Sequence, residues 1–356
     1  MRLKPDFEKS MARIEAWYGR EIVDRPPVYF MQSEGKAKAA AFDEKYHFDN
    51  LIERWEDSEY QLARFRTLLP DQPLLGDGFP VYMPNLGPNF FAACYGGTIE
   101  YTQDTSWTEH ILKDGYRPLC IDFNNYYFQK IEEMTDLALE QADDEFLVGY
   151  TDLHPGLDCV ASFRGSETLC MDLFEHPDQI KQLAMQTIDD YQKMFDHYNQ
   201  KLLDHRQLSV SWMGIPSRQS MHIPSCDFSF MISPDDFAEF GLPVLEKELE
   251  IAEYNIFHVD GPGVARHIDA IAQFPQIQAM QWVQGAGENE PVMQWVPLIQ
   301  KIQALGKAVV VYVHPHEIDN FTSAVKPQGI YLFIDEDDRE NQQQILRKIE
   351  KWGCTK

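Results

Sequence analysis

From residue 206 onward, short apolar runs alternate with amphipathic stretches of helical spacing. "RQLSVSWMG" (206–214), "NIFHVD" (255–260), "QIQAMQWVQG" (276–285), "KAVVVYVH" (307–314) and "GIYLFIDE" (329–336) read as buried strands. Between them, "SPDDFAEFGLPVLEKELEIAEY" (233–254), "ARHIDAIAQF", "PVMQWVPLIQKIQALG", "HEIDNFTSAV" and "RENQQQILRKIEKWG" read as helices. Ser233 is a favourable N-cap and Pro234 suits a first helical turn, while Pro243 is expected to kink the helix that contains it. Strands and helices alternating over short connections form the pattern of a parallel α/β fold.

The first half has longer connections. "PVYFMQ" (27–32), "PLLGDGFP" (73–80) and "EFLVGYTDL" (145–153) are strand candidates, and helices are expected at 5–18, 48–69, 125–142 and 178–204. The insert containing "GGTIEYTQDTSWTEHILKDG" reads as a small antiparallel excursion. With "CDFSF" (226–230) there are nine strand-like runs for eight barrel places. No GxGxxG or GxxxxGK[ST] loop supports a doubly wound sheet. The expectation is one (β/α)8 TIM barrel with an N-terminal helical extension, spanning 1–356 as a single domain.

Composition narrows the partners. The 356 residues carry a formal net charge of −26, which repels a phosphate backbone and argues against nucleic acid. No apolar window is long enough for a membrane span, and "MRLKPDFEKSMARIEAWYGR" lacks a signal-peptide core. The six cysteines form no CxxC pair and no disulfide framework. A cytoplasmic protein is expected.

In a barrel, reactive side chains gather at the C-terminal strand ends. Those positions hold Gln32 and Glu34, Asp77, Asp152 and His154, Ser225 to Asp227, His258 and Asp260, Trp282 and Gln284, His314 to Glu317, and Asp335 and Glu336. His258 and Asp260 stand out. Residues i and i+2 of a strand share a face, histidine titrates near neutrality and ligates metals, and a carboxylate beside it can orient the ring or bind alongside it. Gly261 and Gly263 allow close approach of backbone. The bland alternative is Asp260 as a helix N-cap. His314 and His316 form a looser HxH pair, Cys226 a lone thiol, and His267 a structural histidine.

Seven segments in order, "DRPPVYFMQSEGK", "GDGFPVYMPNLGPNFFAACYGG", "FRGSETLCMDLFEHPDQI", "SCDFSFMISPDDFAEFGLPVLEKE", "FHVDGPGVARHIDAI", "QWVQGAGENEP" and "GKAVVVYV", resemble the uroporphyrinogen decarboxylase superfamily, which includes corrinoid and cobalamin-independent methyltransferases. The resemblance covers most of the chain and implies the same barrel. In the decarboxylases' arginine-bearing segment this chain has Gln32 and Lys36, with Glu34 adding an acid, and Gln cannot supply a guanidinium fork. Asp77 matches the family's pyrrole-binding aspartate. The later substrate tyrosine is replaced near "SFRG", and the late Gly-His-Gly segment is absent. The methyltransferase relatives hold zinc through a His-x-Cys pair and a later Cys. Here His258 is in place and Asp260 stands where that cysteine would be.

The resemblance therefore implies a methyltransferase-like enzyme acting on a small substrate. His258 and Asp260 are its expected catalytic pair and zinc ligands, with His314, His316 and Cys226 as secondary ligand candidates. Gln32, Asp77, Asp227 and Trp282 are its expected substrate-binding residues. A corrinoid carried by a partner protein and a homodimer are the associations the family suggests. Two other readings stay open: a porphyrinogen decarboxylase with altered carboxylate recognition, and a ligand-binding barrel without catalysis.

Overall fold

Runs such as Val309–Val311 have no exposed surface on either face, as expected of parallel strands covered by helices on one side and packed inward on the other. The computed structural model describes residues 1–31, 34–285 and 291–354, with Glu34 and Lys36 described by backbone alone. Its strands are β1 (Val28–Met31), β2 (Val81–Tyr82), β3 (Ile99–Tyr101), β4 (Ser106–Thr108), β5 (Leu147–Val148), β6 (Met221–His222), β7 (Tyr254–Asp260), β8 (Ile277–Val283), β9 (Ala308–Tyr312) and β10 (Ile330–Asp335). Six of them form one curled sheet in the order β1-β10-β9-β8-β7-β6, every neighbour parallel. β2 and β5 make a separate parallel pair, and β3 and β4 make the expected antiparallel hairpin. Regular ladders among the described residues thus build a six-stranded parallel sheet and a side pair, short of eight equivalent strands. No helix among the described residues is long and apolar enough to cross a membrane.

Several expected elements change form. "RQLSVSWMG" is not a regular strand: Ser209 and Ser217 exchange hydrogen bonds across an isolated antiparallel bridge, so the chain folds back on itself. "CDFSF" is a 3-10 turn, Asp227–Met231, because the Asp158 carboxylate accepts the N–H groups of Asp227 (2.9 Å) and Phe228 (2.8 Å) and caps it from another helix. The expected helix 48–69 divides into Leu51–Glu56 and Ser58–Leu68, since Asp57 accepts from the Tyr60 N–H and starts a new helix. Pro243 lacks an N–H to bond backward, and the turn before it, Phe237–Gly241, is π-helical. Helices Gly156–Arg164 and Ser166–Glu175, not anticipated, fill the space before the long helix Pro177–Asp204.

Asp77 is the main correction to the expected substrate-binding set. It has no exposed surface. Its carboxylate accepts from Arg13 Nη1 (2.8 Å), Arg25 Nη1 (2.5 Å), Ser10 Oγ (3.0 Å) and the Val28 N–H (3.0 Å). Arg13 also forks onto Asp24 at 2.6 and 2.7 Å. Burial alone would raise the Asp77 pKa, but the two guanidinium groups outweigh it and hold the carboxyl below its ordinary value. The loop passes so close to β1 that a Cβ on Gly76, at φ +74°, would lie 2.5 Å from the Val28 carbonyl oxygen. Asp77 thus fastens the N-terminal helix Phe7–Tyr18 to the start of β1.

Asp77→Ala is expected to destabilise the fold by about 3–5 kcal/mol, because Arg25 is left buried and unpaired. Urea titration of the variant reads this directly. Since the folded pKa is depressed, the Asp77 contribution is complete above the ordinary carboxylate range and is lost as pH falls. Acid unfolding of the wild type should therefore be steeper than that of Asp77→Asn.

Candidate functional site

β7 and β8 pair with His258 opposite Gln281 and Val259 opposite Trp282. Alternation along the strands places His258, Asp260 and Gln281 on one face and Trp282 on the other. Trp282 is 2% exposed and packs on Trp295 at 4.7 Å between ring centroids. The expectation of a substrate-binding Trp282 is corrected accordingly: its indole belongs to the layer against Val292–Trp295. Gln281 takes its place. Its Oε1 lies 2.6 Å from His258 Nδ1, and its Nε2 donates to the Tyr312 hydroxyl at 3.1 Å. The Tyr312 bond orients the amide so that its oxygen faces the imidazole. This assigns the ring proton to Nδ1 and leaves Nε2 with its lone pair. The Trp212 ring meets the imidazole edge-on at 5.3 Å.

Asp260 does not act as a cap: it precedes helix Gly261–Ala265 without a side-chain bond to that helix. Gly261 turns the chain at φ +76°, and Gly263 packs against the protein's own Phe230, whose ring would lie 2.0 Å from a Cβ there. The 3-10 turn supplies the third member of the group. Asp227, His258 and Asp260 each offer a ligand atom, and these atoms lie within 4.8 Å of one another.

Burial lowers the His258 pKa against the opposing effects of the Gln281 bond and the Asp260 charge, so the ring is neutral near pH 7. Asp227 keeps an exposed edge, yet crowding by protein and by the Asp158 carboxylate pushes it up to about 7, against the charge of His154. A neutral imidazole and a carboxylate short of countercharge suit a cation. Cys226 does not join them. Burial, reinforced by the Asp158 charge, drives its thiol well above the ordinary range, where thiolate is scarce. His314 and His316 are exposed and stack on each other at 5.5 Å. Among the described residues a second cluster, Asp172, Glu175 and His176, has its aspartate already held by Arg164 and Tyr116, each at 2.6 Å. Gln32 lies outside the described residues.

Beside the Asp227 group opens a cleft of about 770 Å³ whose walls include Trp107, Phe228, Met231, Asp158, Asp227 and His154. His154 bridges Asp152 Oδ2 (2.9 Å from Nε2) and Ser225 Oγ (2.9 Å from Nδ1), and Ser225 donates to Asp158 Oδ2 at 3.2 Å. The three residue types are those of a serine hydrolase, but the protons are placed wrongly for one. Burial works against the charged ring, yet Asp152 and the other acids raise His154 to about 10. It is therefore a cation at neutral pH and cannot take the serine proton, which already points at Asp158. The sequence pointed to Asp152, His154 and Ser225 only as strand ends. It gave no signal for Asp158, one acid on an unanticipated helix, or for Tyr312.

No protein-family model and no curated protein sequence matches the chain. Among solved structures, a methyltransferase from Methanosarcina mazei shares the fold with a TM-score of 0.60, over 96% of this chain and 98% of that one, at 11% sequence identity. At this identity the likeness establishes the fold, a methyltransferase-like α/β architecture.

The raised His154 pKa has a thermodynamic consequence. Its stabilising contribution is fully present below about 6.5, the unfolded value, and is lost as pH rises through about 10. Melting temperatures of the wild type should fall over this window relative to His154→Gln, by an amount on the order of a few kcal/mol in stability.

Proposed function

We propose that the chain is a methyltransferase-like enzyme of the uroporphyrinogen decarboxylase superfamily, with a divalent metal, zinc foremost, at Asp227, His258 and Asp260. The carrying observation is the convergence of these three side chains beside an open cleft. The full-length likeness to a methyltransferase fold supports the class. Backbone bonds near both ends of the sheet support a closed eightfold barrel: Asp77 N–H, in the run before β2, donates to Val28 O of β1, and beyond β5 Tyr150 N–H donates to Val210 O, next to Ser209, whose hydroxyl accepts from the Met221 N–H of β6. In such a barrel Asp260, the last residue of β7, and Asp227, in the run after β6, would stand at the C-terminal strand ends where barrel chemistry gathers.

The donor set fits the ion. Zinc accepts imidazole nitrogen and carboxylate oxygen, and three protein ligands leave a coordination position for an exogenous group. Such an ion supplies Lewis acidity that favours the anionic form of a bound thiol. The protein residues do the rest. Gln281 and Tyr312 hold the imidazole with Nε2 free, Trp212 limits its tilt, and Asp158 fixes the turn that carries Asp227. His154 keeps its proton at the cleft wall with both ring nitrogens engaged, Nε2 by Asp152 and Nδ1 by Ser225, so it offsets the surrounding acids. A corrinoid-bearing partner is the methyl donor the superfamily suggests. The decarboxylase reading lacks its central requirement: the described cleft walls include Lys113 but no arginine.

Elemental analysis of the purified chain after zinc loading should return about one equivalent, and none for His258→Ala or Asp260→Ala. Gln281→Leu should weaken zinc about 10- to 100-fold while leaving the fold intact, because the orienting bond is removed and the ligands are kept. Stoichiometric zinc in the His258→Ala variant would rule out this site.

A further inference from the structure

Of the metal group only Asp227 lines the cleft, and the rest of the lining is left unexplained. Part of that lining comes from the hairpin of β3 and β4, where Glu100 and Trp107 are directly opposed. Opposed residues of an antiparallel pair share a face, so the carboxylate and the indole stand side by side, and both line the cleft. Trp107 is 62% exposed. Among the described residues its ring stacks on no other ring and receives no cation, and Glu100 forms no ion pair. An exposed, unstacked indole beside a carboxylate presents an aromatic face and a negative charge together to whatever enters the cleft.

The remaining walls fit the same occupant. Phe228 and Met231 line the cleft with apolar side chains, and its carboxylates, Glu100, Glu109, Asp158 and Asp227, outnumber its cations, Lys113 and His154. The cations there are committed: Lys113 lies 3.3 Å from Glu109, and His154 is held by Asp152. A carboxylate or sulfonate entering this space would meet repulsion on several sides. An organic cation would meet an aromatic face, carboxylates and room for its substituents.

We propose that the cleft binds an organic onium cation, a quaternary ammonium or sulfonium bearing small apolar groups, with Trp107 and Glu100 as its recognition pair. As a statement of substrate class this rests on the enzyme reading above. Its binding test does not. The onium carbon skeleton lies over the indole, where cation–π attraction requires no N–H donor, and Glu100 balances the charge.

Isothermal titration of the full chain with benzyltrimethylammonium and with trimethylsulfonium should give saturable binding that weakens with added salt, and benzenesulfonate should give none. Trp107→Ala should weaken benzyltrimethylammonium at least about tenfold, Trp107→Phe less, and Glu100→Gln about threefold. Both positions are exposed, so unchanged melting temperatures should accompany these losses. Benzenesulfonate binding as tightly as the ammonium, or ammonium binding unaltered in Trp107→Ala, would overturn the proposal. The same titration on His258→Ala separates the two readings. Onium binding that survives the loss of zinc upholds the cleft independently, whereas zinc retained in that variant removes the metal site and leaves the onium result standing.

Discussion

The buried Asp77 carboxylate is the point on which the frame depends. It is shared by two arginines and tied to the backbone of β1, and its own carbonyl accepts from the Tyr331 hydroxyl at 3.2 Å. The N-terminal helix is further tied to the last strand's entry by Trp17, whose indole donates to Gly329 O at 2.9 Å. Helix Phe7–Tyr18, the first strand and the last strand thus meet around one charge. A buried ion group of this kind adds little net stability over an apolar filling of the same shape. What it adds is a geometry with few alternatives, because each guanidinium must find its carboxylate. The first and last strands, sheet neighbours separated by most of the chain, are held together where both begin.

At the other end the electrostatic problem is reversed. Asp152, Asp158, Asp227 and Asp260 gather around one protonated histidine and one neutral histidine. The cluster is tolerated through division of labour. Asp152 and Asp158 are satisfied by His154, Ser225 and two backbone N–H groups, and so are structural anions. Asp260 caps nothing, and Asp227 is raised toward neutrality. The carboxylates with spare acceptor capacity are those beside His258.

Legibility in the sequence followed the kind of force at work. β7 to β10 were readable because burial on both faces writes a near-continuous apolar run. β2, β5 and β6 are two-residue ladders whose remaining bonds go to irregular backbone, and composition does not record such bonding. The i, i+2 rule correctly joined His258 to Asp260. The same rule separates Gln281 from Trp282, but choosing between them needed the register of β8 against β7, which only the fold supplies. Asp77 was misplaced because a matching acid in a matching segment says nothing about depth: Arg13 and Arg25 lie far enough away in sequence that no local pattern links them. Asp158 escaped notice because its role is to cap a turn sixty-nine residues on.

The hairpin of β3 and β4 contributes no strand to the sheet, yet it walls the cleft that the sheet's loops open into. The cleft wall and the sheet that aligns His258 with Gln281 are consequently pieces of chain that fold under different constraints. The hairpin's buried side is tied down by Ser106 on Leu86 O and Thr108 on Asn89 O, whereas Glu100 and Trp107 point outward, apart from the register that aligns His258 with Gln281. Side-chain replacement at those two positions alters the cleft's surface and charge while the strand pairing behind it is left alone.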